Sequence, residues 1–129
     1  MVQGELRSYK DLDVWRLAME LTVEVYRATA SLPREELYGL TGQMRRASTS
    51  IAANIAEGYG RESTPSFIQF LRIAQGSSKE LETHIMIAQR VELLPEATAD
   101  ALIGKGDTVG KLLRGLIRSL EAKVRARSD

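Results

Sequence analysis

The chain has one histidine, His84, and Glu80 stands four residues before it, on the same face of any helix they share. A carboxylate beside an imidazole is the beginning of a metal site or of an acid–base pair. A di-iron bundle, however, takes Glu-x-x-His on two helices plus two further glutamates. Here the spacing is Glu-x-x-x-His and it occurs once. A zinc ion takes three or four protein ligands, and no second histidine exists to supply them. No metal or other cofactor is expected. Ser48, Ser50, Ser77 and Ser78 are not surrounded by the G-x-S-x-G elbow of a nucleophile, and His84 has no evident triad orienter. The glycines spell no G-x-x-x-x-G-K-[ST] phosphate loop. The expectation is a protein that is not an enzyme.

Cations are the chemistry that remains. The chain carries 18 Lys and Arg against 17 Asp and Glu, but unevenly. Up to residue 104 there are 11 basic and 14 acidic residues; from 105 to 128 there are seven basic residues against Asp107 and Glu121. Lys111, Arg114, Arg118 and Arg125 recur at steps of three, four and seven and share one helical face, with Lys123 and Arg127 flanking it. Such a face suits a phosphate backbone. It equally describes a solvated helix end, where cations are favoured by the dipole. Residues 95–129 contain no Phe, Tyr or Trp, so sequence-specific recognition of a single strand is not expected.

A second polar group is embedded in the stretch LYGLTGQMRRASTSIAANIAEGYGR, residues 37–61, which is unusually poor in bulk. Met44, Ile51 and Ile55 are its larger apolar anchors among Ala, Ser and Gly. A helix of this kind lets neighbours approach closely on more than one side. Arg45 and Arg46 diverge by about 100° on it. They read either as a contact to RNA phosphate or another subunit, or as ion pairs to carboxylates on neighbouring helices; the second is favoured. Asn54 lies on the apolar seam, where a polar residue fixes register or oligomer state. Glu57 lacks a second carboxylate at working distance on its helix and is expected to pair with Arg45, Arg46 or Arg72.

Pro33, Pro65 and Pro95 divide the chain into four helical segments, about 12–32, 38–60, 64–93 and 96–125. Asp11 is the expected N-cap of the first, with Val14, Leu17, Ala18, Leu21, Val25 and Ala28 at helical spacing. Gly58 and Gly60 are expected to end the second in the left-handed conformation. Thr64 is the expected cap of the third, with Pro65 at its first position. Small residues at Gly76, Ser77 and Ser78 suggest tight helix contact there. In the fourth, Gly104, Gly106, Gly110 and Gly115 indicate either a break near Gly104–Gly106 or close packing; each interior glycine costs roughly 1 kcal/mol. No strand-like alternation occurs. The expected fold is all-α: an antiparallel up-down-up-down four-helix bundle, one domain over 1–129. With 43% apolar residues the chain can build a core. It has no cysteine, hence no disulfide or thiolate site. The opening MVQGELRSYKDLD lacks a leader, and no run of about 18 apolar residues exists to span a membrane. A cytoplasmic location is expected.

YKDLDVWRLAMEL, then LPREELYGLTGQMRRASTSIAANIAEGYGR, then SFIQFLRIAQGSSKELET, resemble the bacterial four-helix-bundle proteins encoded within 23S ribosomal RNA intervening sequences. The likeness runs from about Tyr9 to Leu94. It implies a homopentameric ring and a distant kinship with accessory proteins of diversity-generating retroelements, which are bundles that bind nucleic acid and a reverse transcriptase. The partners so implied are further copies of the chain, RNA or DNA, and a reverse transcriptase.

Overall fold

The computed structural model describes residues 7–128. The expectation about the opening leader falls largely on residues 1–6, and the charge of Asp129 on the last one; both lie outside the described residues. Four α-helices form: α1 (Asp13–Thr29), α2 (Leu40–Tyr59), α3 (Thr64–Arg90) and α4 (Glu96–Ser128). Short 3-10 turns at Tyr9–Asp11 and Arg34–Glu36 precede α1 and α2, and no strand occurs among the described residues. Each helix packs on two others: α1 on α2 and α4, and α3 on α2 and α4. Neighbours run antiparallel. Thr22 reaches Ser48 while Thr29 meets Arg45, Ser50 meets Ser77 while Gly58 meets Phe70, and Arg72 meets Glu121 while Ile85 lies beside Ile103, so residue numbers rise on one helix as they fall on the next.

The apolar periodicity explains the packing. Val14, Ala18, Leu21 and Val25 from α1 meet Met44, Ala47, Ile51 and Ile55 from α2 in one core. Leu71, Ala74, Leu81, Ile85 and Ala88 from α3 join Leu102, Val109, Leu113 and Ile117 from α4. Burying such side chains is worth about 1.5–3 kcal/mol each for the larger ones, which is the main favourable term.

Helix ends differ from the expectation in instructive ways. Asp11 does not cap α1. Its carboxylate accepts from the backbone N–H groups of Arg7 and Ser8, closing a capping box around the 3-10 turn, and Leu12 precedes α1 with no side-chain cap. α1 stops at Thr29, three residues early, where the Thr29 hydroxyl donates to the Val25 carbonyl at 2.7 Å. Ser63, not Thr64, caps α3 by accepting from the N–H of Ser66, which puts Pro65 one place inside the first position. α3 ends at Arg90, and there Glu92 takes the left-handed conformation (φ 65°). The Leu93 N–H then bonds Ala88 O at 2.8 Å and the Glu92 N–H bonds Gln89 O at 3.0 Å, the pair of bonds that closes a Schellman end.

The glycines are also reassigned. Neither Gly58 nor Gly60 is left-handed; Gly60 has φ −77°. Gly58 is needed because α3 passes so close: a Cβ there would lie 2.6 Å from the Phe70 Cβ and 3.3 Å from the Phe67 carbonyl. In α4 the helix is continuous from Glu96 to Ser128, so there is no break at Gly104–Gly106. Close packing does not explain these residues either, because a Cβ at Gly104, Gly106 or Gly115 would meet nothing within 4 Å. The same holds for Gly76 in α3, so tight contact is not its role.

Two substitutions with opposite signs follow. Gly58→Ala forces α2 and α3 apart and is expected to cost about 1–3 kcal/mol. Gly104→Ala, in an exposed and continuous helix, is expected to add up to about 1 kcal/mol. Denaturant midpoints measure both, and a stabilised Gly58→Ala or a destabilised Gly104→Ala contradicts the assignment.

Candidate nucleic-acid interface

The basic face of α4 forms as its spacing requires. Lys111, Arg114, Arg118 and Arg125 are all exposed and lie within about 60° of one another around the axis, turned toward the α3 side. Arg125 approaches Pro65 and Ile68 at the start of α3, and Lys111 and Arg114 border a groove against its middle. Among the described residues no carboxylate pairs with any of these four. Lys123 and Arg127 are exposed but do not extend this row. Two residues before or after Arg125 is a turn of about 200°, which sends both toward other sides of the helix. The flanking role expected for them is thereby corrected.

Glu121, on the edge of the same face, is taken by Arg72 of α3. Arg72 thus ties α3 to α4 and is not the partner of Glu57. On the other edge of α4, Lys105 reaches α1, with Glu24 as its nearer partner and Glu20 at 3.4 Å. The hydrogen bond to Glu24 leads the causes that hold its ammonium above the ordinary lysine value of 10.5, with burial opposing.

Of the polar residues of α2, Arg45 and Ser50 reach neighbouring helices, while Arg46 and Glu57 do not. Half-buried Arg45 donates from Nε to the Thr29 hydroxyl at 3.0 Å and lies over the Tyr26 ring, 4.6 Å from its centroid. Arg46 is exposed and folds back over Gly42. Neither meets a carboxylate among the described residues, so the expected ion pairs are replaced by a hydrogen bond with ring stacking and by solvation. Glu57 pairs with Arg61 one turn on, at 2.8 Å and exposed, not with Arg45, Arg46 or Arg72. Asn54 does sit half-buried at the α2–α3 seam. Its amide donates to the Ser50 carbonyl and hydroxyl, and the Ser50 hydroxyl is 2.8 Å from that of Ser77. Ser50 thus links α2 to α3 through Ser77, while Asn54 bonds within its own helix. Ser48 is buried and donates to the Arg45 carbonyl.

His84 has both ring nitrogens buried without a hydrogen-bond partner, and Glu80 Oε2 lies 3.6 Å from Nε2, beyond bonding distance. Among the described residues no three side chains of metal-ligating type converge. No helix of the described residues is long and apolar enough to cross a membrane.

Sequence reasoning missed Gln75, Lys79 and Glu82 on α3, which face the α4 cations across the groove. Their spacing on α3 carried the signal, but only the register set by Ser50–Ser77 and Arg72–Glu121 brings them opposite Lys111 and Arg114.

The described residues form an all-helical bundle with a glycine-tight helix pair and a basic face on α4. The chain belongs to the family of 23S rRNA-intervening sequence proteins, whose model matches residues 10–115. It is similar in structure to a protein of unknown function from the S23 ribosomal protein family of Bacteroides thetaiotaomicron. That likeness has a TM-score of 0.73 at 25% identity and covers 81% of this chain and 97% of the other. No curated protein matches the sequence.

The Lys105 cluster yields a pH prediction. A folded-state pKa above the unfolded value means the tie is fully present below pH 10.5 and is lost as pH rises beyond it. Lys105→Ala is expected to cost roughly 0.5–1 kcal/mol at neutral pH, as for partly exposed pairs, and to lessen the loss of stability above that pH. Denaturation at pH 7 and at alkaline pH measures this; an unchanged alkaline slope in the variant contradicts it.

Proposed function

We propose that the chain is a non-enzymatic, self-assembling bundle of the cytoplasm that contacts nucleic acid through α4. The observation that carries this reading is the row Lys111, Arg114, Arg118 and Arg125, four exposed cations with no carboxylate bound to them among the described residues. A row without local partners is an electrostatic footprint for a polyanion. The family's description as 23S rRNA-intervening sequence proteins supports RNA as the polyanion. The distant kinship with retroelement accessory proteins that the resemblance implies would add a nucleic-acid enzyme, such as a reverse transcriptase, as a partner.

Self-assembly is supported by apolar surface that the isolated bundle leaves open. Met19, Val23 and Tyr26 form one exposed strip on α1. Ile73, Ile87 and Val91 form another along one face of α3. Between them α2 presents Thr49, Ala53 and half-buried Ala56, a narrow surface with little bulk. Singly exposed apolar residues need no explanation, but strips at helical spacing on both sides of a small-residue helix fit an interface between copies. Five copies in a ring multiply the basic face fivefold. The competing reading, a protein-interaction scaffold without nucleic-acid contact, rests on the same apolar strips.

Two experiments decide. Replacing Lys111, Arg114 and Arg118 together by Gln is expected to weaken binding of an RNA duplex at low salt and to reduce the salt slope by roughly 2–3. No binding by the wild-type chain at low salt sinks the nucleic-acid reading and leaves the scaffold. For assembly, Ala52 is 5% exposed and Ala53 is exposed, so their Leu variants separate the two kinds of packing. Ala52→Leu is expected to lower stability by about 1–3 kcal/mol through overpacking. Ala53→Leu is expected to lower the native mass in light scattering; an Ala53→Leu chain of unchanged mass places the interface elsewhere.

A further inference from the structure

Between α3 and α4 runs a groove of about 510 Å³, a size that suits a small organic ligand. Arg72, Lys79, Lys111 and Arg114 line it, and Glu82 and Asp107 are its acids. Its floor is aliphatic, with Leu81, Ile85, Leu102 and Ile103. Its openness has a cause in the sequence. Gly76 on α3 and Gly106 on α4 line it, and a Cβ at either would meet nothing within 4 Å. These helical glycines therefore serve no packing contact in the bundle; they leave space where side chains would stand.

The charges are sorted along the groove. Arg72 lies opposite Glu121, so the antiparallel register places Lys79 near Arg114 and Glu82 near Lys111, and leaves Asp107 further along, beside Ile85 and Ile103. Arg72 is held by Glu121, and Lys79 approaches Glu82 at a loose 3.5 Å. Lys111 and Arg114 have no carboxylate partner among the described residues. One end of the groove is thus a cluster of available N–H donors. Beyond it the Asp107 carboxylate is an acceptor for hydroxyl groups, over an apolar bed.

From this arrangement we propose that the groove binds a single ribonucleoside phosphate. Lys79, Lys111 and Arg114 hold the phosphate, Arg114 with the fork that matches its oxygens. Asp107 accepts hydrogen bonds from the ribose hydroxyls, Glu82 steadies Lys79, and the base lies on the aliphatic floor. The nucleotide is either free or the terminal unit of an RNA strand. This inference shares Lys111 and Arg114 with the proposed polyanion face but rests on the groove itself.

The test uses AMP, adenosine, 2′,3′-dideoxy-AMP and a 5′-phosphorylated RNA hexamer as probes, with binding followed by calorimetry on the full chain. AMP is expected to bind, with adenosine and the dideoxy compound each at least about tenfold weaker, since each loses charge-assisted hydrogen bonds. Gly76→Leu and Gly106→Leu fill the groove without removing a cation, and thermal melting shows whether each variant is folded. Either folded variant is expected to weaken AMP binding at least about tenfold while leaving RNA-duplex binding unchanged. Arg118→Ala with Arg125→Ala is expected to do the reverse. If the hexamer binds in a Gly106-sensitive way and AMP does not, the strand end is the source and the site stands. Absence of both AMP and hexamer binding overturns the inference, as does AMP binding that both folded leucine variants leave intact. Loss of duplex binding alone removes the polyanion reading and not this one.

Discussion

The close approach of α2 to α3 is the constraint on which the rest of the bundle depends. At Gly58 the absent side chain lets Phe67 and Phe70 come down onto the α2 backbone. One edge-on aromatic contact, Tyr59 to Phe67 at 5.9 Å between centroids, closes the same end. Further along, Ser50 and Ser77 share a hydrogen bond that only small side chains on both helices allow. These contacts fix the register of α2 on α3. α4 then packs on α3 through its apolar face, and Arg72 on α3 meets Glu121 at the edge of that contact. Every cation that matters to the proposed function is positioned at the end of this chain of contacts.

The opposite side of α4 meets α1 and carries a second ion-paired tie. Lys105 bridges to Glu20 and Glu24 on α1, while the core residues Leu102, Val109 and Leu113 face inward between these two ties. α4 is thus rotated so that Lys111, Arg114, Arg118 and Arg125 cannot turn inward or reach the α1 carboxylates. Exposed ion pairs contribute little to stability singly. The buried apolar row selects which face of this long helix is offered to solvent, the ion pairs mark its two edges, and among the described residues that face has no carboxylate partners.

Much of this was legible from residue types. Proline spacing and apolar periodicity gave four helices with nearly the observed bounds, and the steps between Lys111, Arg114, Arg118 and Arg125 gave their common face. What failed was whatever depends on a neighbour in space. Ser63 and Thr64 are both cap-forming residues, Ser the better, and it is Ser63 that caps α3. Gly58 and Gly60 look alike on paper, yet one admits Phe70 and neither is left-handed. Arg45 finds Thr29 and Tyr26 because α1 ends beside it, which no spacing within α2 reveals. The groove was hidden for the same reason. Gly76 and Gly106 are 30 positions apart, and their joint effect exists only once α3 and α4 are in register.

The small-residue helix and the basic helix therefore divide the work: α2 sets how helices pack, and α4 carries the charge to the surface. The central claim is that this charge engages a polyanion. The most direct test is the affinity of the wild-type chain for an RNA duplex as salt rises from about 50 to 200 mM. Four phosphate contacts per bound face predict a loss of roughly a hundredfold over that range. Binding that does not change with salt contradicts the account.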